Sequence, residues 1–234
     1  MLKGIITKVK AFNNLINNAE YVNNLQIDTY CDNLLYNLQG NTYLPRTAMS
    51  LRPYALSYLL NEITINNRTN IIEFGSGIST IFMARLAFQN KIELKILSVD
   101  DDDNWINKLN EILSKENLTK YVQFVYAPLK LNDNNYEWYN ENIIDKSYNN
   151  QKFDLVLIDG PKAYPKGKSH IRYGALPYIY QKLKNEFIVF LDDANREGED
   201  QIIKKWQTEF DLQFNIEKNL AIAVKGNYFF SNPI

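Results

Sequence analysis

Ile71-Ile72-Glu73-Phe74-Gly75-Ser76-Gly77-Ile78-Ser79-Thr80 is the stretch on which the reading of the fold depends. Its first four residues are strand-sized and mostly apolar. Gly75 and Gly77, two of the nine glycines in the chain, end that run. Ile78, Ile81, Phe82 and Leu86 then recur at helical spacing, so a helix follows the turn at once. A strand that passes through glycines into a helix predicts the opening of a βαβ unit. Glycines at such a turn let the backbone approach a ligand closely. The helix N-terminus beyond offers free N–H groups to a carboxylate or phosphate.

The alternation continues downstream. Strands are expected at Leu94 to Val99, Tyr121 to Tyr126, Phe153 to Ile158 and Phe187 to Leu191, with two late ones at Leu212 to Ile216 and Leu220 to Val224. Helices are expected around Trp105 to Leu113, capped by Asp103 or Asn104, around Leu176 to Leu183 with Pro177 in the first turn, and around Ile202 to Phe210. Tyr136 to Tyr148 fits neither pattern. This order predicts an α/β fold, an open and mostly parallel sheet with helices on both faces. Upstream, Ile5, Ile6, Val9, Phe12, Leu15 and Ile16 mark an amphipathic helix. Residues 17–50 look irregular or briefly helical, and a helix runs from Pro53 to about Ile65. The polar break Asn66 to Asn70 divides an N-terminal helical cap, residues 1–68, from a core, residues 69–234.

The chain has 234 residues, 45% hydrophobic and 23% charged, which suits a packed domain. A net charge of −1 argues against bulk binding to nucleic acid or an anionic membrane. No apolar run is long enough to span a bilayer. The single cysteine, Cys31, has no partner for a disulfide within the chain, so a reducing, cytoplasmic setting is expected.

In an open α/β sheet, ligands bind at the carboxyl ends of the strands. Four such ends carry acids. Glu73 precedes the glycine turn, where it would repel a diphosphate but suit a ligand bearing an ammonium and a sulfonium. A third fingerprint glycine would fall at position 80, and Thr80 stands there instead, which weakens a nicotinamide reading. Asp100 lies beyond Gly75 near the roughly 20-residue spacing of a ribose-binding acid. Asp101, Asp102 and Asp103 follow it, and a solvated loop with a helix cap accounts for the last two. Asp159 closes the fourth strand beside Gly160 and Pro161. Asp192 and Asp193 close the fifth. Asp159, Asp192 and Asp193 could together bind a hard cation such as Mg²⁺, or could orient a substrate or cap helices.

These motifs resemble those of class I S-adenosylmethionine (SAM)-dependent methyltransferases, over roughly residues 69 to 226. Glu73-Phe74-Gly75-Ser76-Gly77 is similar to the family's glycine-rich SAM motif. Asp100 falls at its ribose acid, and Phe153 to Pro161 is similar to its fourth-strand motif. The resemblance implies a Rossmann-like three-layer sandwich whose seven-stranded sheet ends in an antiparallel strand. It implies a SAM carboxylate near Gly75 to Gly77, with Thr80 in the same motif, adenine near Ala127 and Pro128, and Asp101 and Trp105 packed nearby. The acids at the fourth and fifth strand ends also resemble those of metal-dependent O-methyltransferases. Asp192-Asp193-Ala194-Asn195 departs from their simple Asp-Asn pair.

The expected reaction is methyl transfer from SAM to a small-molecule or sugar acceptor, at oxygen. A hydroxyl acceptor must lose a proton, and Asp159 and His170 are the candidate bases. Lys166, Lys168 and Arg172 could attract an anionic acceptor or form an ordinary solvated loop. Tyr136, Trp138 and Tyr139 could wall the pocket or simply pack. An NAD-type oxidoreductase and a non-catalytic SAM-binding protein remain alternatives, and a homodimer is left open.

Overall fold

The structure, a computed structural model, describes residue 19 and residues 21–132 and 136–234. The helix expected at Ile5 to Ile16 lies outside them. The cap region contributes α1 (21–34) and α2 (Pro53–Ile65). There follow β1 (Asn70–Phe74), α3 (Ile78–Asn90), β2 (Lys95–Asp100), α4 (Asp103–Lys115) and β3 (Val122–Tyr126). A ribbon of β4 (Leu129–Leu131) and β5 (Glu137–Tyr139) leads to α5 (Glu141–Ser147) and β6 (Phe153–Ile158). The chain continues through α6 (Ala175–Ile179), β7 (Leu183–Leu191), α7 (Glu197–Glu209), β8 (Phe214–Glu217) and β9 (Leu220–Lys225).

Seven strands form one sheet in the order β3-β2-β1-β6-β7-β9-β8. β1, β2, β3, β6 and β7 run parallel, and the last strand, β9, runs antiparallel to β7. The sheet and its last strand are thus as expected. Residue alternation along each strand builds two cores. Ile71, Leu155, Leu157, Ile188 and Phe190 face α1 to α4. Ile72, Val156, Ile158, Val189 and Leu191 face α5 to α7. A strand buried on both faces has to be apolar throughout, and β6 is buried at every position. The order reverses beside β1, which has β2 on one side and β6 on the other, so the crevice for a ligand opens between the ends of β1 and β6.

Three local expectations are corrected. Residues 21–34 form a full helix, longer than the irregular or briefly helical stretch expected there. Cys31 and Leu35 lie one turn apart and bury into the first core, which overrides the poor helix propensity of the surrounding asparagines. Helix α4 is capped by Asp102, whose side chain accepts the Trp105 backbone N–H at 3.0 Å, not by Asp103 or Asn104. Leu183 shares the apolar period of Leu176 and Ile179, but it reaches the core as the first residue of β7 after a tight turn at Tyr180–Lys182.

The tail after β9 folds back on α2. Asn66 and Phe229 exchange two hydrogen bonds of 2.8 Å, and Asn61 donates to the Ser231 carbonyl at 2.9 Å. The Ser231 hydroxyl donates to the fully buried carboxylate of Glu62, which also receives Arg68 and Asn66. Among the described residues, no helix is long and apolar enough to cross a membrane.

Candidate functional site

The turn after β1 is a backbone joint. Gly75 has φ +95°, and a Cβ built on it would fall 2.6 Å from the Gly160 nitrogen. The loops after β1 and β6 therefore touch main chain to main chain, and Asp159 and Gly160 both donate to the Phe74 carbonyl. Gly77 caps α3, and its N–H donates to the Thr80 hydroxyl at 3.1 Å. A Cβ on Gly77 would meet only the Ser79 hydroxyl, at 3.6 Å, so that backbone is left bare toward the cavity.

Glu73 lies beneath this turn. It is fully buried, and its carboxylate receives the hydroxyls of Ser79, Thr80 and Ser98. Burial pushes its carboxyl up to about 7 despite these donors. At the end of β2, Asp100 accepts the Ser76 N–H at 2.8 Å and the Asp102 N–H at 2.9 Å. Each carboxylate oxygen accepts one of these bonds and keeps a second lone pair for a ligand. Trp105 reaches back to the Ser76 carbonyl at 2.8 Å.

Above these ends lies a cavity of about 580 Å³, within the range of small-molecule sites. Gly75, Ser76, Gly77, Asp100, Asp101 and Trp105 line one end. Asp159, Asp192 and Asp193 line the other. Residues 47–52, leading into α2, close it from the cap side. Tyr139 also lines it, and its buried hydroxyl has no hydrogen-bond partner. Burial holds that phenol well above its ordinary value, so it stays neutral and able to donate.

The three strand-end aspartates place ligand oxygens within 4.8 Å of one another. Burial raises Asp159 and pushes Asp192 up to about 6, with the neighbouring aspartates adding to both. Arg172 is inserted between them. Its Nη2 lies 3.4 Å from the Asp159 carboxylate and its Nη1 lies 3.2 Å from that of Asp193. Arg196 adds a 2.7 Å contact to Asp193.

The structure thus gathers Gly75, Ser76, Gly77, Asp100, Asp101, Trp105, Asp159, Asp192 and Asp193 around one cavity. Phe74, Thr80 and Ala127 are fully buried, and none of them lines it; nor do Glu73 and Pro128. Trp138 packs beneath Phe74, and Tyr136 packs against Tyr173, so of the three aromatics only Tyr139 reaches the wall. His170 is exposed outside the wall, with its Nε2 paired to Gln201. Lys168 pairs with Glu137. Arg172 is only 2% exposed, not part of a solvated loop, and its place among the acids is the main feature missed in the sequence. The one available signal was its setting, a lone charge in Ile171-Arg172-Tyr173-Gly174-Ala175-Leu176. Residues 47–52 gave no signal.

Asp100 should leave a pH signature. Burial pushes its carboxyl up to about 6. A folded-state value above the roughly 3.9 of an unfolded aspartate stabilises the fold below about pH 4, and that contribution is lost as pH rises through about 6. Asp100→Asn cannot titrate there. The melting temperature of the variant should gain on that of the unaltered protein between about pH 4.5 and 7.5. A gap that does not change with pH would contradict the buried-carboxyl account.

Comparison with known proteins follows the same lines. None of the curated proteins matches the chain. Among solved structures it is similar to a Staphylococcus aureus protein assigned as a caffeoyl-CoA O-methyltransferase, at 17% identity and TM-score 0.58 over 85% of this chain and 99% of that one. It is also similar to a methyltransferase from Podospora anserina bound to S-adenosylhomocysteine (SAH), at 12% identity and TM-score 0.57 over 85% and 96%. An O-methyltransferase from Bacillus cereus in complex with SAH gives 16% identity and TM-score 0.54 over 88% and 91%. At such identities the likeness speaks for the fold. The family model of a methyltransferase domain matches residues 72–194, more than half of the sequence, from the second residue position of the deciding stretch to the loop after β7. The chain belongs to the methyltransferase-domain family, and its fold is that of the class I methyltransferases it is similar to.

Proposed function

We propose that the protein methylates an oxygen of a small-molecule or sugar acceptor. One observation carries this reading: a single cavity joins the glycine turn and Asp100 to the aspartates at the ends of β6 and β7. When bound, SAM supplies a methyl group already activated by its sulfonium. The bare backbone at Gly77 and the acceptor oxygens of Asp100 fit its amino-acid and ribose parts, with Asp101 and Trp105 alongside. At the far end, the aspartates after β6 and β7 would hold the acceptor hydroxyl toward that methyl group. The hydroxyl proton goes to a carboxylate. We assign that role to Asp159, with Asp192 beside it, because both line the cavity and burial raises both above the usual carboxylate range, which makes their ionised forms stronger bases. His170 faces Gln201 instead, so His170→Ala should leave kcat within about two-fold. A hundred-fold loss would transfer the base role to it.

The carboxylates among the lining residues suit an acceptor rich in hydroxyl donors. Residues 47–52 at the cavity support the cap, residues 1–68, as the part that chooses the acceptor. The cofactor test is calorimetric titration with SAM, followed by an acceptor screen read as SAH release. Failure of SAM to bind the folded protein would sink the proposal.

Tyr139 gives a finer check. Its hydroxyl has no protein partner, so Tyr139→Phe should leave the melting temperature of the free protein unchanged or slightly raised. The same change should raise the SAM dissociation constant about five-fold, the worth of one hydrogen bond. A lower melting temperature with unaltered SAM affinity would make Tyr139 a packing residue.

A further inference from the structure

The aspartate trio is the place where the sequence resemblance puts a divalent cation, and the chain has set a cation of its own there. We propose that the Arg172 guanidinium is the permanent cation of this end of the cavity, that it positions Asp159 and Asp193, and that methyl transfer here uses no divalent metal. The last clause rests on the trio being the acceptor side.

Arg172 is anchored independently of the acids. Its Nε donates to the Pro161 carbonyl at 3.2 Å, its Nη2 to the Asp159 carbonyl at 2.6 Å and its Nη1 to the Asp192 carbonyl at 3.1 Å. These three bonds tie the loop after β6 to the loop after β7. The turn that carries Arg172, Ile171–Gly174, is equally fixed. A Cβ on Gly174 would fall 2.6 Å from the Trp138 ring, and one on Gly198 of α7 would fall 2.1 Å from the Ser169 carbonyl oxygen. The backbone that carries the side chain is therefore held in place, three carbonyls hold the guanidinium itself, and a guanidinium does not deprotonate.

The charge pattern agrees. Asp159 and Asp193 already have guanidinium nitrogens at 3.4 and 3.2 Å, and the buried Glu199 has one at 3.7 Å. Arg196 brings a second guanidinium to Asp193. A dication needs carboxylate lone pairs turned toward it, and here it would meet the Arg172 guanidinium on Asp159 and Asp193 and a second guanidinium on Asp193. The donor set does not fit a resident Mg²⁺. A planar fork does fit: it hydrogen-bonds two carboxylates and three carbonyls at once, which a lysine ammonium could not.

The test uses the metal alone. The protein is titrated with Mn²⁺, followed by the paramagnetic signal of the free ion, and its melting temperature is read in EDTA and in Mg²⁺. The unaltered protein should give no saturable Mn²⁺ binding up to millimolar concentration and the same melting temperature in both solutions. Arg172→Met leaves the carboxylates unpaired, so it should melt earlier, bind Mn²⁺ at least about ten-fold more tightly and regain stability with it. Arg172→Lys, which keeps the charge, should remain unresponsive to Mn²⁺. Saturable micromolar Mn²⁺ binding by the unaltered protein would overturn the proposal, as would an Arg172→Met protein no more responsive than its parent. If Arg172→Met does not fold, the unaltered protein and Arg172→Lys decide the matter by the same titration. Loss of SAM binding would defeat the functional reading and leave the Mn²⁺ result standing.

Discussion

Replacing Asp100 by alanine should weaken SAM binding by about 100-fold or more. The carboxylate would offer a ribose diol two charge-assisted hydrogen bonds of roughly 1.5–3 kcal/mol each. Alanine removes both, and it also strips the acceptor from the Ser76 and Asp102 N–H groups that shape the wall. Calorimetry with SAM reads the loss. Asp100→Asn separates the two effects, since its amide oxygen can still receive one loop N–H while losing the charge. A dissociation constant for Asp100→Ala within about three-fold of the parent would remove Asp100 from the ribose role.

Gly75→Ala should damage the fold itself. The residue sits at φ +95°, where an L side chain costs roughly 1–2 kcal/mol. Its methyl would then lie 2.6 Å from the Gly160 nitrogen and 2.9 Å from the Asp159 carbonyl carbon, both main chain. Neither can retreat, because Asp159 and Gly160 are hydrogen-bonded to the Phe74 carbonyl. Overpacking of this kind adds roughly 1–3 kcal/mol. For a chain of this size a loss of about 3 kcal/mol lowers the melting temperature by roughly 6–12 °C. SAM binding should fall with it, since the same joint sets the cavity floor. A variant that melts with its parent would mean that the two loops can part.

The fold was legible wherever local pattern and tertiary environment coincide. β6 reads as a run of apolar residues because it is covered on both faces, and the glycines of 75–77 stand where two backbones meet. The same logic placed Asp100, Asp159, Asp192 and Asp193 at strand ends and so around one cavity. Side-chain direction was not legible. Glu73 adjoins the ligand turn in sequence, yet it points inward because three hydroxyls from α3 and β2 await it there. Arg172 stands near Lys166 and Lys168 and looks like a member of a basic loop. Its fate is decided by carbonyls on two other loops, which no spacing rule reports. The cap was least legible, since in α1 only Cys31 is fully buried, and the helix is held by contacts of Asp28 and the Cys31 carbonyl with α2, far along the chain.

The return of the tail onto α2 has a consequence for the growing chain. On the ribosome Glu62 is made 169 residues before the Ser231 hydroxyl that covers it. Until then a carboxylate destined for complete burial lacks one of its donors, and a helix translated before the sheet settles after it. Residues 47–52 lead directly into that helix and wall the cavity. Among the described residues, none beyond Asn219 lines the cavity, yet the nascent enzyme waits for residue 231 to complete it.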